Sequence, residues 1–153
     1  MGSTRLTFHL DADRARVYAA FLDAEAVGRW RVPAGMSCEV HEFEGREGGA
    51  VRVSLTYDAQ DARGKTTRNV DTYHGRFVRL VPDELVVEVD EFETTDPALG
   101  GEMTITIRLT DSPGGGTDLA VVHEGLPDGV PTEDNELGWR ESLSRLAALL
   151  GGG

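Results

Sequence analysis

The chain has 153 residues, 39% of them hydrophobic and 27% charged, with 15 Lys and Arg against 27 Asp and Glu for a formal net charge of -12. That length suits one folded core, and that charge excludes functions that neutralise a nucleic-acid backbone or lie on an anionic membrane. The single cysteine, Cys38, excludes an internal disulfide and a multi-cysteine zinc site, and reads as a small buried hydrophobe.

Leu6 to Leu10 alternates apolar and polar residues and reads as a strand. Asp11 or Asp13 can cap a helix running to about Leu22, with Val17, Tyr18, Phe21 and Leu22 on one stripe. A second short helix spans Ala24 to Trp30. Beyond Pro33-Ala34-Gly35 the period falls from near four to two. Cys38 to Phe43 and Val51 to Tyr57 form two strands around the glycine-rich turn Glu44 to Gly49. Further strands run from Asn69 to Val81, Leu85 to Glu93, Glu102 to Thr110 and Thr117 to Glu124. The chain closes on a helix from about Thr132 to Leu150, with Trp139, Leu143, Leu146 and Leu150 on one stripe that Leu149 widens. There is no internal repeat and no linker, so residues 1–153 read as a single domain. A curved antiparallel sheet has one face to cover, and the last helix is the obvious cover. The gap between them is where a ligand would sit.

Several strings and their order resemble the START/SRPBCC superfamily, in the subfamily named after the activator of the heat-shock protein 90 ATPase. They are Val17-Tyr18-Ala19-Ala20-Phe21, Gly28-Arg29-Trp30, Arg46-Glu47-Gly48-Gly49, Tyr73-His74-Gly75-Arg76 and Val81-Pro82. Gly115-Gly116-Thr117, His123-Glu124-Gly125-Leu126-Pro127, and Gly138-Trp139 followed by Leu143 and Leu146 continue the likeness to the end of the chain. The resemblance implies an α+β helix-grip fold: a curved antiparallel sheet wrapped around a long C-terminal helix, with two short helices after the first strand. It also implies a cavity, and is compatible with a homodimer. Tyr18 and Arg31 stand where many members carry Trp, which implies a less aromatic, more polar cavity mouth. Members bind lipids, cyclise polyketides or act as co-chaperones, and fold alone does not choose among these.

Strand parity predicts what faces the helix. Val51, Val53, Leu55 and Tyr57 share one face, as do Met103, Ile105, Ile107 and Leu109, and as do Leu119, Val121 and His123. His123 therefore points inward, either hydrogen-bonded at the core's edge or touching a ligand. In the strand from Asn69, one face offers Asp71, Tyr73, Gly75 and Phe77, and the other offers Val70, Thr72 and His74; the pattern does not decide between them. Along Val87 to Glu93 the apolar positions jump from odd to even. Either a bulge at Asp90-Glu91 returns Phe92 to the inner face, or Glu91 points into the cavity as a candidate acid or base. Trp30, Met36, Tyr57, Phe77 and Trp139 supply bulk near the gap, as core or as ligand wall. Gly138 beside Trp139 would let the last helix approach the sheet closely.

The four histidines, His9, His41, His74 and His123, lie far apart, and no phosphate-binding loop or nucleophile elbow is present. The expectation is no metal and no cofactor. Asp83, Glu84, Glu88, Asp90, Glu91, Glu93, Asp96 and Glu102 occur with no Lys or Arg between them, and read as a solvated face or as a patch that steers a cationic partner. Arg14, Arg16, Arg29 and Arg31 form an opposing basic end.

Three functions follow as expectations. The first is binding of a small apolar or amphipathic molecule, by Trp30, Met36, Tyr57, Tyr73, Phe77, Phe92, Met103, Ile105, His123 and Trp139. The second is a polyketide-cyclase-like or hydratase-like enzyme using Tyr73, His123 and Glu91 for acid–base chemistry. The third is a co-chaperone-like interaction module using the acidic run. No nucleic-acid or membrane partner is expected. The start of the chain lacks the apolar stretch of a secretory leader, and no apolar run nears the ~20 residues that span a bilayer, so a cytoplasmic location is expected.

Overall fold

The structure is a computed structural model that describes residues 2–58 and 70–151. The elements run β1 (Gly2–Leu10), α1 (Arg14–Phe21), α2 (Ala24–Trp30), β2 (Met36–Phe43), β3 (Ala50–Tyr57), β4 (Val70–Val81), β5 (Leu85–Phe92), β6 (Met103–Asp111), β7 (Thr117–Leu126) and α3 (Thr132–Leu149). This is the expected order of strand, two helices, six strands and helix. Asn69, the expected start of the fourth strand, lies outside the described residues. Among the described residues seven strands join one antiparallel sheet in the order β1-β7-β6-β5-β4-β3-β2, and α3 packs against β1 and α2.

Local chemistry sets the helix starts. Asp13 caps α1, its carboxylate accepting from the Arg16 N–H, and Asp23 caps α2 in the same way through Glu25. Trp30 closes α2 with its indole N–H donated to Ala20 O at 2.9 Å and its ring edge-on to Phe21 at 4.8 Å. These contacts lock the two short helices together although neither is long enough to be stable alone. In the β2–β3 turn Gly48 has φ 77, a left-handed conformation that suits glycine, and its N–H reaches Phe77 O at 2.8 Å.

The main core lies between the sheet, α1, α2 and α3, and includes Val17, Trp30, Phe77, Ile107, Leu119, Leu143 and Leu146. A smaller cluster of Met103, Leu126 and Val130 packs near Phe92 and Leu99. Leu149 does not widen the buried stripe of α3: it is 37% exposed, and the helix buries Trp139, Ser142, Leu143 and Leu146 instead.

The parity of β3, β6 and β7 is as expected, with Val51, Val53, Met103, Ile105, Ile107, Leu109, Leu119, Val121 and His123 buried. In β4 the inner face is Asp71, Tyr73, Gly75 and Phe77, and the ladder slips between Phe77 and Arg79, leaving Val78 42% exposed. β5 departs from both expected arrangements. Its register with β4 runs unbroken through Asp90, Glu91 and Phe92, so there is no bulge at Asp90-Glu91. Nor does Glu91 turn inward: the inner face is Val86, Glu88, Asp90 and Phe92, an uninterrupted alternation in which two positions are acids.

Candidate functional site

A cavity of about 380 Å3 opens between α3 and the inner face of the sheet. Met36, Tyr57, Tyr73, Phe92, Met103, Ile105, His123 and Trp139 line it, each of them an expected ligand contact. Trp30 and Phe77 do not. Both are wholly buried: Trp30 is spent on Ala20 and Phe21, and Phe77 meets Phe43 edge-on at 5.6 Å. Glu91 lies on the opposite face of the sheet, half-exposed, with its carboxylate 3.2 Å from His74 Nε2. His74 also meets Glu93, which takes a two-pronged pair of bonds from Arg52 at 2.8 and 2.9 Å.

The inner end of the cavity is polar. Arg31, the residue that ends α2, enters it and donates to Glu88 Oε1 at 2.8 Å, with Asp90 Oδ2 at 3.7 Å from its other nitrogen. The guanidinium sits 5.8 Å from the Tyr73 ring centre and 5.4 Å from that of Trp139. Arg31 thus belongs to the buried end of the cavity and not to its mouth, nor to a basic surface. Glu88 and Asp90 likewise leave the expected solvated acidic face.

Two carboxyls share one cation here, and their protonation differs. Burial pushes the Asp90 carboxyl well above its ordinary range, and the neighbouring Glu88 charge pushes it further, against the pull of Arg31. Burial works in the same direction on Glu88, but the Arg31 charge outweighs it and holds that group below its usual value. Glu88 is therefore the anion and Asp90 the neutral acid. Among the described residues, neither Asp90 oxygen nor Glu88 Oε2 has a hydrogen-bond partner, and all three are buried. One proton between the carboxyls offsets that deficit. Burial also opposes the Arg31 charge, yet Glu88, Tyr73 and Asp90 keep its pKa above the ordinary value. Desolvation raises the Tyr73 phenol, with Arg31 opposing.

His123 faces the same space from β7. Its Nδ1 accepts from Trp139 Nε1 at 3.0 Å and from Asn135 Nδ2 at 3.3 Å, which assigns the proton to Nε2, 3.2 Å from Met103 Sδ. Burial, and then the Arg31 charge, lower its pKa to about 4 against the pull of Glu88. A neutral imidazole whose accepting nitrogen is taken positions Trp139 and is a poor base. Closer to the open end, Tyr57 donates to Asp71 at 3.4 Å.

Sequence reasoning placed Arg31 at the cavity mouth and missed Glu88 and Asp90 as members of the site. The available signal was the even parity of Val86, Glu88, Asp90 and Phe92. It was masked because Val87 and Val89 occupy the outer face, where they pair across with Arg79 and Arg76 of β4. Gly138 also differs from expectation: a side chain there would meet Pro33 at an ordinary 3.6 Å, so no close approach to the sheet requires glycine.

The model of the family described as "Activator of Hsp90 ATPase homolog 1-like protein" matches residues 11–151. A crystal structure of a Chromobacterium violaceum protein is 38% identical with a TM-score of 0.85, covering 97% of this chain and 96% of that one. A Silicibacter pomeroyi protein described as AHSA1 is 18% identical with a TM-score of 0.79, at 98% coverage of both chains. A Rhodobacter sphaeroides protein is 21% identical with a TM-score of 0.77, covering 97% and 93%. The last two likenesses carry the fold alone. No curated protein matches the chain. Among the described residues no helix is long and apolar enough to cross a membrane.

Proposed function

Because this chain belongs to the Activator of Hsp90 ATPase homolog 1-like family, whose fold sets a helix over a curved sheet, we propose that it binds a small hydrophobic or amphipathic molecule between α3 and that sheet. The observation that carries this reading is the composition of the cavity wall. Aromatic and aliphatic side chains, among them Tyr57, Phe92, Ile105 and Trp139, surround an opening of about 380 Å3, with one polar cluster at its inner end. Such a wall suits an apolar body, and a few convergent polar groups suit a single head.

The acid–base reading has less support. His123 is neutral with its acceptor nitrogen occupied, and Glu91 is outside the cavity. The acidic-face reading also loses two of its members, since Glu88 and Asp90 are buried with Arg31.

A thermal-shift screen against lipids, aromatic polyketides and hormones tests the proposal when repeated on Leu55→Trp. Leu55 lines the cavity, and an indole there fills space that a ligand would occupy. Stabilisation of the wild type by at least one apolar compound, lost in the filled variant, is the expected outcome. A compound that stabilises both chains equally binds elsewhere and sinks the reading.

A further inference from the structure

The groups at the inner end of the cavity do not face it equally. The Arg31 side chain is 12% exposed, whereas Glu88 and Asp90 are each 3% exposed. A ligand reaching this end therefore meets the guanidinium and, beside it on the cavity wall, the Asp90 carboxyl, with Glu88 behind them. A guanidinium has five N–H donors. Among the described residues only one hydrogen bond is made from it, to Glu88, and Asp90 at 3.7 Å is beyond hydrogen-bond length. The Tyr73 side chain also lines the cavity, 5.8 Å from ring centre to guanidinium, and its hydroxyl bonds to no described residue. The neighbouring Trp139 N–H is already spent on His123. Ser142 adds a hydroxyl that can give or take. Against the unpartnered Asp90 oxygens stand the remaining Arg31 N–H groups and the Tyr73 hydroxyl, so donors outnumber acceptors at this end.

Its charge is closed as well. Arg31 is balanced by Glu88, and two buried carboxyls facing a single cation favour keeping one proton between them, which leaves no second charge to answer. An anionic head would add a buried negative charge beside Glu88, and an ammonium head would abut the guanidinium; either costs desolvation without a free counter-charge. An uncharged oxygen acceptor avoids both costs. Resting on the reading that this cavity takes a small molecule, we infer that its ligand presents an uncharged carbonyl oxygen to the Arg31 N–H groups and the Tyr73 hydroxyl. The ligand class is then a ketone, lactone or quinone on an apolar body, in preference to a carboxylic acid or an amine.

Four probes on one skeleton separate the alternatives by calorimetry at neutral pH: naphthalene, methyl naphthyl ketone, naphthoate and naphthylmethylamine. The ketone is expected to bind tightest, on the order of tenfold tighter than naphthalene, since a hydrogen bond to a charged donor has that worth. Its carbonyl stretch should fall in frequency on binding. Tyr73→Phe should weaken the ketone about threefold to tenfold more than it weakens naphthalene, and naphthalene binding to the variant reports that the cavity is intact. Naphthoate or the amine binding as well as the ketone overturns the inference, as does a ketone indifferent to Tyr73→Phe. If naphthalene binds and the ketone gains nothing, the head-group inference alone fails. If none of the four binds, the cavity reading fails with it.

Discussion

Arg31 and Glu88 meet at 2.8 Å in the buried end of the cavity, although one ends a short helix and the other sits mid-strand, 57 residues apart. The pair ties α2 to the sheet and sets the electrostatics of every group around it. Removing one partner of such a pair leaves an uncompensated buried charge, which costs about 3–5 kcal/mol. Arg31→Met should therefore cost that much in urea unfolding. Adding Glu88→Gln to the same chain should recover most of it, because the orphaned charge is gone. Equal losses in the single and double variants would mean that the side chain matters for packing and not for charge.

Asp90→Asn keeps the shape of the acid and its donor without the titration. The folded-state pKa of Asp90 is raised above its ordinary value of 3.8. Its contribution to stability is then complete below the unfolded pKa and is lost as pH rises through the folded one. The asparagine variant has no such loss. Its melting temperature should overtake that of the wild type as pH rises, with little gain in acid. A constant offset at all pH values would place the proton elsewhere.

His123 gives the opposite slope. Its pKa drops from 6.5 in the unfolded chain to about 4 in the folded one, so the unfolded state takes up the proton first as pH falls. Stability should decline between those values by about 3 kcal/mol. His123→Gln, compared with the wild type by chemical denaturation across that range, should show a flatter profile even if it is less stable throughout. An unchanged slope would exclude His123 as its source.

Glycines differ in what they permit. A side chain at Gly75 would collide with Asp90 Oδ1 and with the backbone oxygen of Val89, its cross-strand neighbours. Gly75→Ala should cost about 1–3 kcal/mol or more, and Asp90→Ala should not rescue it, since the Val89 carbonyl remains. Gly138→Ala should instead stabilise α3 by about 1 kcal/mol through helix propensity, because Pro33 at 3.6 Å leaves room. Thermal melts of the two variants should move in opposite directions.

Element order and strand faces were readable wherever inner positions are apolar. The stretch from Met103 to Leu109 and that from Leu119 to His123 announce their faces, and His123 follows from its neighbours. β5 was not readable in this way, because its inner face holds Glu88 and Asp90 and its outer face Val87 and Val89. The cation that makes two buried acids tolerable comes from α2, and nothing local to β5 signals it. Trp30 and Phe77 were expected at the cavity because bulk and spacing cannot distinguish a core ring from a wall ring. That distinction depends on where Ala20, Phe21 and Phe43 sit in space.

The claim on which the rest depends is that the space beneath α3 holds a small apolar molecule. Native mass spectrometry of the wild-type chain and of Leu55→Trp, each purified from its own cells or incubated with naphthyl ketone, measures this directly. The account predicts a one-to-one adduct on the wild type that is absent from the filled variant. An adduct of equal abundance on both, or none on either, would contradict it.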